Sequence, residues 1–165
     1  MNKDKINETA FLKSEKATKK LLDINASDHL IDEVSKYIIN HLEISNLSLQ
    51  KLLYYIQMFY MSIYKKPAFT NKCSAWEYGP VFGSIYYKYK SFGRNIISED
   101  TSEYVFEEDL KETIDTVLKY FGCFSGPVLM YFTHQEEPWK KAFQTESKII
   151  EKNDIKIYGD KIIKE

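Results

Sequence analysis

His134 is the residue of this sequence best placed for acid–base chemistry. It stands in the segment FTHQEEPW, where Glu136 and Glu137 bring two carboxyl groups close to its imidazole along the chain. General acid–base catalysis requires such titratable groups to converge at one site. The same segment also suits a histidine that is hydrogen-bonded at the joint between two helices, and we favour this structural role over a catalytic one.

The other potential metal ligands lack the spacing that metal sites require. Cys73, Cys123, His29 and His41 form no pair at C-x-x-C or helical spacing. The glycines match neither a phosphate-binding loop nor a dinucleotide-binding loop. We therefore expect no catalytic residue, no metal and no cofactor, and we predict that the protein is not an enzyme.

Charge and composition limit the partners that the chain can attract. The 165 residues include 23 Lys and Arg against 24 Asp and Glu, a net charge of −1 at pH 7. This balance gives no overall attraction to nucleic acid or to an anionic membrane. Two cysteines without disulfide-type spacing and no long apolar segment are typical of the reducing cytosol. We expect a cytoplasmic protein that does not enter a membrane.

Aromatic residues are the unusual part of the composition. They make up 15% of the chain, and many of them lie in AWEYGPVFGSIYYKYKSFG, residues 75–93. Tyr, Trp, Phe and Met are the side chains that protein interfaces favour, because they bury much area at a small cost in entropy. Most of these rings could instead fill the core. We expect some of the tyrosines to be exposed as a platform for another protein, stiffened by the Gly79-Pro80 step.

Hydrophobic periodicity predicts a single, compact, mainly α-helical domain of six or seven helices over residues 27–165, preceded by a flexible or weakly helical extension over residues 1–26. The strongest signal is the apolar arc from Leu49 to Ile63, whose opposite face carries Tyr and Met, so this helix should be central and covered on several sides. The other predicted elements are helices at 27–42, from Gly79-Pro80 to Gly93, from Asp109 to Gly122, from Ser125 to Thr133, from Pro138, and from Asn153 to Ile163, with short extended segments at Trp76–Tyr78 and Tyr104–Phe106.

A DNA-binding function remains open as an alternative. The segment ISNLSLQKLLYY, residues 44–55, follows a helix and a short break, as in a helix-turn-helix. A recognition helix needs a free polar face, however, and Lys51 is the only cation of this one. Lys88, Lys90 and Arg94 could contact phosphates, but the sequence favours their being solvated side chains. Nucleic acid is thus not the partner that we expect.

Three motifs together resemble the Panacea antitoxin domain, a SocA-like domain also labelled a phage-associated protein. They are LSLQKLLYYIQMFY (residues 47–60), AWEYGPV (75–81) and HQEEPW (134–139), and the resemblance extends over residues 28–160. It implies an antitoxin that neutralises a cognate protein toxin, encoded next to it, by direct binding. One relative instead delivers its toxin to a Clp protease, which remains an alternative. The resemblance implies no enzymatic activity and no cofactor.

The matched motif positions divide into two groups. One group is expected to build the domain: Leu49, Leu52, Leu53, Gly79, Pro80, His134, Pro138 and Trp139. The other group is expected to contact the toxin: Lys51, Tyr54, Trp76 and Tyr78.

Overall fold

The computed structural model describes residues 29–99 and 103–164. The predicted extension over residues 1–26 and the predicted helix start at Ser27 lie outside this part of the chain. The described residues form seven helices and three short strands, which occur in this order: α1 (29–41), α2 (Asn46–Tyr64), β1 (Cys73–Trp76), β2 (Gly79–Phe82), α3 (Gly83–Tyr89), α4 (Glu108–Phe121), α5 (Gly126–His134), α6 (Glu137–Phe143), β3 (Ile149–Ile150) and α7 (Lys152–Lys164). They make one compact, mainly α-helical domain, as predicted.

Helix α2 is the centre of the domain. Ser45 caps its first turn by accepting a hydrogen bond from the amide of Ser48, and Lys65 ends it in a left-handed conformation. Of its 19 residues, 15 are buried, because it packs against α4, α5, α7 and β2. The prediction of a central helix covered on several sides is confirmed. Ile63, the last residue of the predicted apolar arc, is an exception: it is 54% exposed, at the edge of a groove between α2, α4 and α7.

A β-hairpin takes the place of one predicted helix start. Strands β1 and β2 pair antiparallel with Trp76 opposite Gly79, so a two-residue turn joins them, and β3 pairs with the other edge of β1. The prediction that a helix begins at Gly79-Pro80 is therefore wrong, since α3 begins at Gly83. Gly79 adopts a φ of 105°, and Pro80 has no amide hydrogen to pair, which suits the edge strand on which it lies.

The second half of the chain follows the predicted pattern of helices. Helix α4 buries Leu110, Ile114 and Val117 along one face, and α5 begins after its capping residue Ser125 with a proline in its first turn. Helices α6 and α7 occur where they were predicted. The prediction of a short strand around residues 104–106 is wrong, because these residues pair with no strand in the described part of the chain. None of the helices in the described ranges is both long and apolar enough to cross a bilayer.

Candidate functional site

Helices α5 and α6 hold the tip of the hairpin through its main chain. The indole Nε1 of Trp139 donates to the carbonyl of Trp76 at 2.8 Å, and Nε2 of His134 lies 2.9 Å from the carbonyl of Glu77. Because a carbonyl can only accept, this contact requires the histidine tautomer protonated at Nε2. The centres of the His134 and Trp139 rings are 4.2 Å apart, and Trp139 stacks on Phe143 with 4.6 Å between their ring centres. These contacts support the structural role proposed for His134 and Trp139.

Two side chains of α2 pair with the free edge of β2. The order of the strands is β2-β1-β3, so β2 has no neighbouring strand on its outer side. Gln50 Oε1 accepts a hydrogen bond from the amide of Phe82 at 2.9 Å, and Lys51 Nζ donates to the carbonyl of Pro80 at 3.0 Å. An edge strand normally presents unpaired groups of this kind to solvent or to another chain. Here α2 provides their partners, and the hairpin is fixed to the central helix.

Lys51 is buried beneath the hairpin without a carboxylate partner in the described part of the chain. Burial lowers the pKa of its amine to about 7. Its side chain runs directly below Gly79, where an added Cβ atom would lie 2.6 Å from Lys51 Cε and 2.8 Å from Thr133 Oγ1. A side chain at position 79 is thus opposed both by the positive φ and by lack of space.

A buried carboxyl group, that of Glu136, lies between α2 and the start of α6. Glu136 accepts a hydrogen bond from the hydroxyl of Tyr55 at 2.7 Å, and burial raises its pKa to about 7. Its second oxygen and the hydroxyl of Tyr54 are also buried, and interaction of the carboxyl with the Tyr54 hydroxyl opposes the rise in the pKa of Glu136. Burial, followed by the charge of Glu136, raises the pKa of Tyr54 well above its ordinary value.

The structure corrects the expectation that all four proposed contact residues lie at the surface. Lys51 and Tyr54 have no exposed area, because neighbouring elements cover this part of α2, so in this arrangement they cannot contact a partner directly. Trp76 is half-buried and Tyr78, at the turn of the hairpin, is 62% exposed. The expected core positions Leu49, Leu52 and Leu53 are all buried. Pro80 and Pro138 are buried as well.

A groove of about 620 Å³ opens beside the hairpin, and we name it the Trp76 groove. One wall is aromatic, with Trp76 and Tyr86 in edge-to-face contact at 4.8 Å. Residues of α2 and α5 also line the groove, and we call its two exposed basic residues, Lys90 and Arg94, the rim. The lining is formed by Ser45, Asn46, Leu47, Gln50, Lys51, Trp76, Tyr78, Val81, Tyr86, Lys90, Gly93, Arg94, Pro127 and Met130.

Sequence reasoning missed several apolar residues that line the groove together with Trp76. Leu47, Pro127 and Met130 come from α2 and α5, which are far apart in the chain and pack against each other in the fold. No local signal marks them as partners of Trp76. Within the described ranges, no three His, Cys, Asp or Glu side chains cluster in a way that could hold a metal ion.

Comparison with known proteins places these features in a family context. Residues 49–140, more than half of the chain, match the family model described as "Antitoxin SocA-like, Panacea domain". Comparison with curated proteins and with solved structures gave no match. The matched range begins in the first turn of α2 and ends in α6, so it contains the hairpin and most of the residues that hold it.

Proposed function

Because this chain belongs to the family of SocA-like antitoxins with a Panacea domain, we propose that it neutralises a cognate protein toxin by binding it directly. The observation that carries the proposal is the family match over residues 49–140. A toxin encoded beside the antitoxin is the expected partner. We propose that no chemical step is involved and that inhibition comes from the contact itself.

The arrangement around the hairpin supports a binding function. The ring nitrogens of His134 and Trp139 hydrogen-bond to main-chain carbonyls of the hairpin, and Glu136 accepts a hydrogen bond from Tyr55. These groups thus hold the scaffold. The scaffold presents Trp76 and Tyr78 along a groove, on a segment whose backbone is fixed from two sides. A surface fixed before binding loses less entropy when a partner docks. We therefore place the toxin contact at Trp76 and Tyr78.

The DNA-binding alternative is not supported at the helix that suggested it. A recognition helix must offer one polar face to a DNA groove, whereas 15 of the 19 residues of α2 are buried. The adaptor alternative differs from direct inhibition in the fate of the toxin. A toxin delivered to a Clp protease would be lost from the cell, whereas a toxin held by a stable complex would accumulate together with the antitoxin.

Co-expression with the product of the neighbouring open reading frame tests the proposal. That product should stop growth when expressed alone, and the chain should restore growth and co-purify with it at constant toxin level. A neighbour that is harmless alone, or a toxic neighbour that the chain neither rescues nor binds, would contradict the proposal. Toxin loss that depends on a Clp protease would indicate the adaptor alternative.

A matched pair of variants tests the place of contact. Tyr78 and Tyr120 are 62% and 61% exposed, and Tyr120 lies on α4 outside the Trp76 groove. We expect Tyr78→Ala to weaken co-purification and rescue, and Tyr120→Ala to leave both unchanged, with equal thermal stability for the two variants. The reverse result would move the toxin contact to the groove between α2, α4 and α7.

A further inference from the structure

The Trp76 groove has a local charge that the whole chain does not have. The protein carries one more acidic than basic residue, yet none of the residues that line the groove is acidic. Two of them, Lys90 and Arg94, are exposed cations at the rim, whereas the third basic residue, Lys51, is buried. The groove therefore offers positive charge to whatever enters it.

Among the described residues, Lys90 and Arg94 have no acidic partner, unlike Lys88, which is close to them in sequence. Lys88 lies 3.5 Å from Asp32 and 3.6 Å from Glu99, so acidic groups of the protein compensate its charge. Within the described residues, neither Lys90 nor Arg94 forms an ion pair. Lys90 lies 5.8 Å from the centre of the Tyr87 ring, which holds an amine but does not neutralise it.

Most of the surface of the groove is apolar. Leu47 and Met130 line a space of about 620 Å³ together with the Trp76–Tyr86 pair. Pockets of several hundred Å³ hold a few side chains, so this space suits a short segment rather than a folded surface. A large apolar side chain would fill it, and a carboxylate beside that side chain would reach the rim. The guanidinium of Arg94 can bind a carboxylate through two parallel hydrogen bonds.

A protein segment fits this site better than a nucleic acid. A single strand carries a phosphate at every nucleotide and requires a continuous basic track along its path. The groove provides two exposed cations at one rim, and the exposed Glu77 stands in the turn next to Tyr78. An isolated pair of cations beside an apolar space matches one or two carboxylates that flank an apolar side chain.

We propose that the Trp76 groove binds a short acidic segment of the toxin, in which one or two Asp or Glu side chains flank a large apolar side chain. The inference rests on the proposed function for the identity of the partner, and on the lining of the groove for the chemistry of the segment. The carboxylates pair with Lys90 and Arg94, and the apolar side chain packs between Trp76 and Met130.

Selection of peptides from a random twelve-residue display library tests the chemistry of the groove without any toxin. The bait is the full chain, and the most enriched peptide is then synthesised and measured by fluorescence polarisation. We expect enriched peptides to combine Asp or Glu with Trp, Phe, Tyr or Leu, and their affinity to fall as salt is raised. Enrichment of neutral or basic peptides, or no enrichment at all, would overturn the inference.

A charge-reversal variant locates the binding. The double variant Lys90→Glu/Arg94→Glu should bind the selected peptide at least tenfold more weakly. The control Lys72→Glu/Lys164→Glu carries the same net change at two exposed lysines that do not line the groove, and it should bind as the unchanged protein does. Equal losses in both double variants would show a general charge effect and contradict the inference. Tighter binding of a dT12 oligonucleotide than of the peptide, lost in Lys90→Glu/Arg94→Glu, would also contradict it.

Growth rescue separates this inference from the proposed function. If the unchanged chain fails to neutralise the neighbouring gene product, the proposed function fails, whatever the peptides show. If the unchanged chain rescues growth and Lys90→Glu/Arg94→Glu rescues it equally well, the proposed function stands and the groove is not the toxin contact. Loss of rescue in this variant alone, with its thermal stability retained, is the result that we expect.

Discussion

Replacement of Lys51 by methionine should change how the stability of the domain depends on pH. The Lys51 amine is fully buried, and burial lowers its pKa from 10.5 to about 7. Between these two values the unfolded chain binds a proton that the folded chain does not. Stability therefore rises with pH over this window, because removing protons from solution penalises the unfolded state.

The size of the effect follows from the shift. A full difference of one bound proton corresponds to about 1.4 kcal/mol for each pH unit. Because the folded amine is still partly charged near pH 7, the gain between pH 7 and pH 9 is about 2 kcal/mol. Methionine has a similar volume and no titratable group, so the Lys51→Met variant should lack this gain. At pH 7 its stability should be close to that of the unchanged protein, since loss of the hydrogen bond to Pro80 is offset by removal of a buried amine.

Urea unfolding at pH 7, 8 and 9 measures the effect. The unchanged protein and the control Lys140→Met, at an exposed position, should both gain stability over this range. Lys51→Met should stay flat or fall slightly. Parallel pH profiles for Lys51→Met and the unchanged protein would refute the reasoning and would mean that the amine is solvated or keeps an ordinary pKa in the folded state.

Two further predictions concern the same scaffold. Gly79→Ala should lower the free energy of unfolding by about 3 kcal/mol, because it adds backbone strain and a clash with Lys51. The control Gly83→Ala, at a position with open space around it, should change this free energy by less than about 1 kcal/mol. Urea unfolding measures both values. The pKa of Glu136 is raised to about 7 in the folded state, so this residue stabilises the fold at acidic pH and loses that contribution as pH rises through 7. Between pH 5 and pH 8 the unchanged protein should therefore lose about 2 kcal/mol of stability from this group. Glu136→Gln should remove that loss in thermal scans, and an unaltered profile would contradict the buried, protonated carboxyl.

Local signals in the sequence predicted most of the helices. Ser125 followed by Gly126 and Pro127 is a capping pattern, and it marks the start of α5 because capping depends on neighbouring residues alone. The spacing of Leu110, Ile114 and Val117 likewise determines which face of α4 is buried. These helices could be predicted because the residues that cap them or form their buried face lie within the helix or directly next to it.

The hairpin could not be predicted in this way. A Gly-Pro step is favoured both before a helix and in an edge strand, and the choice here depends on Gln50 and Lys51, which pair with β2 from 29 to 32 residues earlier in the chain. The position of Lys51 was misjudged for the same reason. A lysine is rarely buried unless it has a partner, and its partner is a main-chain carbonyl that accepts it only after β2 has formed as an edge.

The Trp76 groove could not be predicted as a whole from the sequence, because residues from several elements form it. Its aromatic wall was visible as a cluster of rings in the sequence, and this led to the expectation of a docking platform at Trp76 and Tyr78. Its lining also includes Leu47 and Met130, which lie on different helices and approach each other only in the folded domain. The availability of Arg94 depends equally on where the acidic side chains of other elements lie.

The support of the hairpin tip has a consequence for synthesis on the ribosome. His134 and Trp139 bind carbonyls of residues that leave the ribosome 57 and 63 positions earlier. A nascent chain that ends before the last turn of α5 already contains the aromatic residues of the hairpin, but it has neither His134 nor Trp139 to hold them in place. Under the proposed function, competence to bind the toxin should therefore arise late in elongation, and truncated translation products should not compete with the full chain for that partner.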